Sequence, residues 1–192
     1  MCGRFVLFSS TDLLREKYKT ANVVSSVASY NIVPSKEVVV IFDGKMGKLQ
    51  WGFKSKRNSS RITNARAETV RGKPTFRESF QKRRCIIPAN GFFEWDKKNR
   101  RPHYISPSEG IFSFAGLWEE GTCTIITAPA RGLITGIHDR MPVFLSEESQ
   151  NLWLEYEGEI FTQSVDNVQM WPVSADVNKP SNDYPDLLDP CV

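Results

Sequence analysis

Short apolar runs separated by turn-forming residues recur along this chain, and their spacing constrains its fold more than any other feature. The β-branched run at 38–42 precedes Asp43-Gly44, a dipeptide typical of a two-residue hairpin turn. The run at 85–87 predicts a buried strand that ends at Pro88. Further strands are predicted at 49–53, 91–95, 103–105, 111–117, 123–128 and 170–173. Many short strands with few short helices predict an α+β fold built on a curved or barrel-like sheet.

The predicted helices are short. Thr11 and Asp12 are candidate caps for a first helix, and residues 75–80 form a second candidate. Ser146 is the candidate cap of a third helix that includes residues 152–154. We find no internal repeat and no low-complexity linker, so residues 1–192 are predicted to form a single domain.

Composition excludes several classes of protein. The 192 residues are 40% hydrophobic and 24% charged, with five Trp, which is not the composition of a disordered chain. No apolar run reaches the roughly 18 residues of a membrane span. Arg4 and Asp12 interrupt the start of the chain, so no secretory signal is expected. We expect a cytoplasmic protein, associated with the nucleoid if the source is bacterial.

The four cysteines bound the redox chemistry. They stand at positions 2, 85, 123 and 191 and form no C-x-x-C pair, which favours a reduced protein with neither disulfides nor a metal site. Cys85 and Cys123 are expected in the core, and Cys191 is expected to be exposed. We expect no cofactor and a monomer.

Charge is distributed unevenly along the sequence. Residues 54–101 contain 15 basic and 4 acidic residues, whereas residues 143–192 contain 1 basic and 10 acidic residues. The basic segment, with Arg66, Arg71, Arg77, Arg83 and Arg84, is a candidate phosphate-binding surface. The alternative is a solvated face that pairs with the acidic C-terminal region.

Cys2 has a position that no internal cysteine shares. A small residue after Met1 permits removal of the initiator methionine, which would leave an α-amine and a thiol on adjacent carbons. An α-amine with a pKa of about 8 is partly neutral at pH 7, and a 1,2-aminothiol closes a thiazolidine ring with an aldehyde. The alternative is that Cys2 is an incidental second residue.

Three polar segments are candidates for further chemistry. Glu94 stands between Phe93 and Trp95, where desolvation would raise its pKa towards a general acid/base role; the alternative is a surface position on an edge strand. His138 follows Gly136 in a shaped loop, although an ordinary turn would look the same. Residues 64–69 alternate polar and small side chains, which would place Asn64 and Arg66 on one side of an extended segment.

Eight segments, in order, resemble the SRAP (SOS-response-associated peptidase) family, whose members crosslink to abasic sites in single-stranded DNA. Together they span nearly the whole chain. The segments are residues 1–5, 30–34, 51–53, 64–69, 84–89, 91–95, 114–118 and 138–142.

The resemblance implies a fold, a reaction and a set of site residues. The implied fold is a bifurcated antiparallel sheet that forms a pseudo-barrel with short flanking helices. Cys2 is implied to be the nucleophile, Asn64 to position the amine, Glu94 to act as acid/base and His138 to help open the sugar ring. The implied phosphate contacts are Arg4, Arg66 and Arg140, and the implied base-stacking surfaces are Pro34, Trp51 and Trp95.

The function expected from the resemblance is a covalent thiazolidine crosslink between Cys2 and the aldehyde of an abasic site in single-stranded DNA. This protein would be an enzyme-like crosslinker with lyase-like or peptidase-like activity in the DNA damage response. The first alternative is a cysteine-type peptidase that removes its own Met1. The second is a non-covalent single-strand binding module.

Overall fold

The structure, a computed structural model, describes residues 2–55, 59–155 and 167–191. Met1, whose removal the sequence predicts, lies outside the described residues. The strands are β1 (Arg4–Leu7), β2 (Ser29–Ile32), β3 (Glu37–Phe42), β4 (Lys45–Trp51), β5 (Phe53–Lys54), β6 (Arg61–Ile62), β7 (Asn64–Arg66), β8 (Arg84–Ala89), β9 (Gly91–Trp95), β10 (Pro102–Pro107), β11 (Phe112–Glu119), β12 (Thr122–Pro129), β13 (Arg140–Pro142) and β14 (Val168–Pro172). The α-helices are α1 (Thr11–Tyr18), α2 (Arg77–Lys82) and α3 (Glu147–Leu154), and the 3₁₀ helices are Gly132–Gly136, Ala175–Asn178 and Pro185–Leu188.

Two large, mostly antiparallel sheets and a two-stranded sheet of β5 and β6 organise the described residues. The first has the strand order β14-β10-β9-β1-β2. The second runs β11-β8-β3-β4-β12-β13, and β11 also pairs with β12, so five of its strands close into a ring. Strand β7 adds to β12 in parallel. The predicted α+β fold with a curved, barrel-like sheet is confirmed.

The local elements follow from the sequence, with small shifts. Asp43 and Gly44 both have positive φ, as a two-residue hairpin turn requires, and β3 and β4 pair on either side of them. The first helix begins at Thr11 but is capped by Ser10, whose side chain accepts from the Leu13 N–H. Helix α2 begins two residues later than predicted, because residues 73–76 form turns before it.

The core has two parts on opposite faces of the first sheet. Phe5 and Phe92 belong to the large core, where the Phe5 ring lies 5.0 Å from that of Trp51. Val6 and Phe93 point the other way, because successive side chains of a strand alternate, and pack against Val177. The covering chain, residues 173–191, is called the C-terminal segment below.

Glycine is required where β9 crosses Tyr104. A Cβ at Gly91 would collide with the Tyr104 ring, whose hydroxyl donates to the Asn90 carbonyl at 3.2 Å. Gly91 therefore lets β9 lie close to β10 on this face.

Within the described residues, no helix is long and apolar enough to cross a membrane.

Candidate active site

Cys2 lies just before β1 and has no solvent-exposed surface. Its carbonyl accepts a hydrogen bond of 2.9 Å from Nδ2 of Asn64, and its Sγ lies 3.8 Å from the carbonyl of Arg4. Burial raises the pKa of the Cys2 thiol far above its usual range, and the neighbouring negative charge of Glu94 raises it further. The thiol is therefore protonated at neutral pH.

Glu94 is held on the central part of the first sheet, in β9. Its side chain is 3% exposed and lies on the same face of the strand as Phe92, towards the large core. Burial raises the pKa of this carboxyl to about 7. The predicted desolvation of Glu94 is confirmed, and the alternative of a surface carboxylate is excluded.

His138 meets Glu94 from a different element. It follows the 3₁₀ helix Gly132–Gly136, and its backbone N–H donates to the Ile134 carbonyl at 2.9 Å. Its Nε2 lies 3.9 Å from Oε2 of Glu94. Its Nδ1 lies 2.9 Å from the Arg140 backbone N–H and accepts from it, so the neutral ring carries its proton on Nε2, facing Glu94. Burial lowers the pKa of His138, which keeps the ring neutral at pH 7.

Asn64 begins β7, which pairs with β12 beside the closed ring. Its Nδ2 is shared between the Cys2 carbonyl and Oγ1 of Thr63, while its Oδ1 is buried and accepts no hydrogen bond from any described residue. That oxygen can accept from a donor on Cys2 or on a ligand. Asn64 and exposed Arg66 alternate with buried Ala65, so they share one face of the strand.

The three arginines expected to contact phosphate differ in their surroundings. Arg66 is exposed. Arg140 forms a bidentate ion pair with Glu68, and its Nη2 donates to the Thr127 carbonyl at 2.6 Å. Arg4 donates to acceptors within the protein, and burial lowers its pKa. Arg66 is thus the most accessible of the three.

The three candidate stacking residues differ in the same way. Pro34 is exposed and Trp95 is half-buried. Trp51 has no exposed surface, because its ring packs on Phe5 and its Nε1 donates to the Thr63 carbonyl at 3.0 Å. Trp51 is therefore a core residue in this conformation. Its ring has no exposed face on which a base could stack, so the expected stacking role is not supported by its position.

Only some of the arginines in the basic segment are exposed on the surface. Arg84 is buried between the rings of Phe80 and Trp153, 4.4 and 4.5 Å from their centroids. Arg83 pairs with Glu78. The inclusion of Arg84 in a phosphate-binding surface was wrong, because its guanidinium is a structural cation inside the fold.

The remaining cysteines differ in burial. Cys85 and Cys123 are buried and free, as predicted. Cys191 is half-buried rather than exposed, with its Sγ 3.7 Å from Nη2 of Arg101. Among residues 2–55, 59–155 and 167–191, no group of three His, Cys, Asp or Glu side chains could hold a metal ion.

Two residues near the site were given no role from the sequence. Glu68 lies within the segment 64–69, but only the fold brings it to Arg140. Asn31 lies within the segment 30–34 and is buried, where it contacts Arg4. A polar residue inside an apolar strand pattern was the available indication for Asn31.

Comparison with known proteins places this arrangement in a family. The sequence profile of the SOS response associated peptidase (SRAP) family matches residues 1–180. The chain is 38% identical to Abasic site processing protein YoqW of Bacillus subtilis, over 98% of this chain and 99% of that protein. It is 31% identical to Abasic site processing protein HMCES of Mus musculus, over 67% of this chain and 49% of that protein.

The fold has a close counterpart among solved structures. A crystal structure of a protein from Bacteroides thetaiotaomicron superposes with a TM-score of 0.86, at 24% identity and over 100% of both chains. Because the family profile covers residues 1–180, the chain belongs to the SRAP family.

Proposed function

We propose that this protein binds single-stranded DNA and forms a covalent thiazolidine between Cys2, after removal of Met1, and the aldehyde of an abasic site. The observation that carries the proposal is the buried carboxyl of Glu94, with a pKa of about 7, which interacts electrostatically with the Cys2 thiol. Relatives at 35–38% identity over nearly the whole chain are named abasic site processing proteins, which supports this substrate.

The reaction is a condensation that releases one water. The α-amine of Cys2 adds to the aldehyde carbon, and the carbonyl oxygen becomes the hydroxyl of a carbinolamine. The nitrogen lone pair then forms the imine as that hydroxyl leaves with a proton as water. The thiol sulfur adds to the imine carbon, its proton is removed, and the nitrogen regains its electron pair and a proton. A five-membered ring results.

Glu94 suits both proton transfers of this sequence. Its protonated form can give a proton to the departing hydroxyl, and its ionised form can take the proton of the thiol. A pKa of about 7 makes both forms available at neutral pH. The protonated thiol fits the same order of events, because the amine attacks first and the sulfur is deprotonated only at ring closure.

His138 acts beside Glu94 as a neutral group. Its Nε2 lies 3.9 Å from Oε2 of Glu94, which is longer than a hydrogen bond, and we propose that it donates to the sugar oxygen that is freed when the abasic ring opens. Asn64 holds the Cys2 carbonyl and presents Oδ1 as an acceptor for the α-amine. Together these groups orient the amine and stabilise the ring-opened sugar.

Arg66, Pro34 and Trp95 are the residues we propose for the DNA strand. Single-strand binding combines cations along the backbone with flat apolar surfaces for the bases. Arg66 is exposed on the face of β7 that it shares with Asn64, and Pro34 and Trp95 present exposed or half-buried surfaces. Arg140 can contribute if a phosphate shares its guanidinium with Glu68.

The decisive experiment uses a single strand with one abasic site. The purified chain, with removal of Met1 verified by intact mass, should form a heat-stable adduct on a denaturing gel. Cys2→Ala should form none, whereas Cys85→Ala should still form it, because Cys85 is a buried core cysteine. Absence of an adduct with the verified wild-type chain would contradict the proposal.

A peptidase that removes Met1 is the second candidate, favoured by the family's description as a peptidase. The raised pKa of the Cys2 thiol argues against it, because a cysteine protease needs a thiolate. Production of Cys2→Ser and Glu94→Ala without cellular aminopeptidase tests it by mass. Self-processing predicts that both variants retain Met1 while the wild type loses it.

A further inference from the structure

The first residues of a chain fray unless something ties them down, and here the proposed nucleophile is one of them. Among the described residues, the ladder pairs of β1 begin at Arg4 with Phe93 on one side and at Phe5 with Ile32 on the other. Cys2 lies two residues before the first of these pairs. Its position therefore depends on how firmly Arg4 is held.

Arg4 is held by its side chain as well as by the sheet. Its Nη1 donates to Oδ1 of Asn31 at 2.8 Å and to the Val177 carbonyl at 2.6 Å. Its Nη2 donates to the Asn178 carbonyl at 3.2 Å. The guanidinium thus bridges β2 and the C-terminal segment.

Asn31 is the centre of this arrangement. It is 3% exposed, and its Nδ2 lies 3.2, 3.1 and 2.8 Å from the carbonyls of Val177, Lys179 and Asn182. Its Oδ1 accepts from Arg4. An amide supplies donors and an acceptor at one site, whereas a carboxylate lacks the donors and an alkyl group lacks both.

The C-terminal segment is itself fixed on the sheet. Val177 is fully buried against Val6 and Phe93, and Oδ1 of Asn178 accepts from Nε1 of Trp95 at 2.8 Å. Asn31 therefore connects the strand before Cys2 to a firmly seated segment, which also contacts one of the proposed DNA-stacking residues.

We propose that Asn31 is a positioning residue for the crosslinking reaction, because it fixes Arg4 against the C-terminal segment and thereby sets where Cys2 stands relative to Glu94 and Asn64. The inference rests on the proposed function. Asn31 touches neither the aldehyde nor the DNA in this role. A displacement of the nucleophile by about 1 Å lowers a reaction rate by up to about 10²-fold, which is the size of effect expected.

The test compares Asn31→Asp and Asn31→Ala with Asn90→Ala. Asn90 is a matched control, because it is a buried asparagine at the other end of β1, where its Oδ1 accepts from the N–H groups of Phe8 and Ser9 at 2.8 and 3.0 Å. Each variant is checked for loss of Met1 by intact mass. Each is assayed at the same interval below its own melting temperature.

Two quantities separate a positioning role from a general loss of stability. The first is the rate constant of adduct formation at saturating abasic single strand, and the second is the affinity for the undamaged strand. Asn31→Asp should lower the rate constant by about 10- to 100-fold and leave the affinity within about twofold. Asn90→Ala should melt at a lower temperature yet react at close to the wild-type rate.

Several outcomes would overturn the inference. Asn31→Asp that reacts at the wild-type rate contradicts it, and so does Asn90→Ala that slows equally.

If Asn31→Ala does not fold, Arg4→Lys provides the second test, because an ammonium group cannot reach all three acceptors at once. A slower saturating rate with intact affinity supports the inference, whereas lost affinity with an unchanged rate would make Arg4 a DNA contact instead. A wild-type chain that forms no adduct refutes the proposed function, and the positioning role with it.

Discussion

At the scale of single residues, the burial of Glu94 affects both its pKa and the stability of the fold. A carboxyl that is 3% exposed is deprived of water, and its pKa rises to about 7 because the charged form is disfavoured. The same burial that makes it a usable acid and base at neutral pH makes its ionisation costly to the folded state. A residue buried for the acid/base role that we propose is expected to lower the stability of the fold.

The pH dependence of adduct formation should follow Glu94. Because dehydration needs the protonated carboxyl and ring closure needs the carboxylate, the rate at saturating DNA should be highest near pH 7. Glu94→Gln should lower that rate by about 10²-fold or more and flatten the profile, while leaving affinity for undamaged strands nearly unchanged. Single-turnover gels across pH 5–9 measure this, with Glu109→Gln, at an exposed turn, as the control. Equal loss of rate and affinity would assign Glu94 to structure alone.

The contribution of Glu94 to the stability of the folded state should fall as pH rises. The folded-state pKa of Glu94, about 7, exceeds the unfolded value, so the folded state holds the proton more tightly between these pH values. Its contribution is complete below about pH 4.3 and is lost as pH rises through 7. Glu94→Gln should therefore unfold with a free energy higher than wild type by on the order of 1–3 kcal/mol at pH 8, with the gap shrinking towards pH 4. Urea unfolding at both pH values tests it, and a gap that grows at low pH would show that the sign is wrong.

At the scale of elements, β9 is the strand on which the site depends. It lies between β1, which follows Cys2, and β10, and its alternating side chains send Phe92 to the large core and Phe93 to the C-terminal segment. Such a strand tolerates no displacement towards either neighbour. Gly91 begins it at the place where the Tyr104 ring comes too close for a Cβ.

Gly91→Ala should destabilise the fold by about 1–3 kcal/mol, because the added methyl group collides with a buried aromatic ring. Gly72→Ala is the control, since a Cβ there meets nothing nearer than the Thr69 carbonyl at 4.0 Å. Thermal unfolding of both variants decides the point. If Gly91→Ala lowers stability less in a Tyr104→Ala background than in the wild type, the collision is the cause; equal melting of Gly91→Ala and wild type would exclude it.

Local sequence patterns predict the helices and strands better than they predict the contacts between them. The hairpin at Asp43-Gly44, the strands at 85–87 and 91–95 and the third helix follow from local patterns, and the structure has them. Trp51 was expected at the DNA and Arg84 at a phosphate, yet both are buried. An aromatic or a cation has the same local sequence pattern whether it stacks on a ligand or on its own core, and only long-range packing distinguishes the two.

The candidate site shows the same limit. Glu94 could be singled out because it stands between Phe93 and Trp95 in the sequence, although those two side chains lie on the other face of β9. The approach of His138 to within 3.9 Å of Glu94 joins residues 44 positions apart and needed the fold. Asn31 was missed because its partners lie up to 151 positions away.

At the scale of the whole molecule, some arginines of the basic segment make contacts within the protein and others are exposed to solvent. Arg84 and Arg83 are used inside the protein or in local ion pairs, whereas Arg66 is exposed beside Asn64. Among the described residues of the acidic C-terminal region, Asp183 accepts a hydrogen bond of 2.8 Å from Oγ of Ser29 in β2. Fewer cations are therefore available for a DNA strand than the sequence count suggests.

Salt should weaken the non-covalent step, and Arg66 should account for part of that effect. Arg66→Ala should lower affinity for undamaged single strands and reduce the slope of log affinity against log salt by about 0.7, the value expected for loss of one phosphate contact. The adduct rate at saturating DNA should change little. Fluorescence anisotropy at several salt concentrations measures the slope. Arg77→Ala, in helix α2, is the comparison variant, and equal slopes for Arg66→Ala and wild type would remove Arg66 from the interface.

The bond from Arg4 to the Val177 carbonyl joins residues 173 positions apart, which has a consequence for synthesis on the ribosome. Cys2 is made early in synthesis, whereas Val177 and Asn178, whose carbonyls hold Arg4, are made much later. A nascent chain therefore lacks the contacts that hold Arg4, and with them the position of Cys2 that we propose for the reaction, until residue 178 has been synthesised. Products released before residue 178 would carry the cysteine without the geometry that we propose for aldehyde capture.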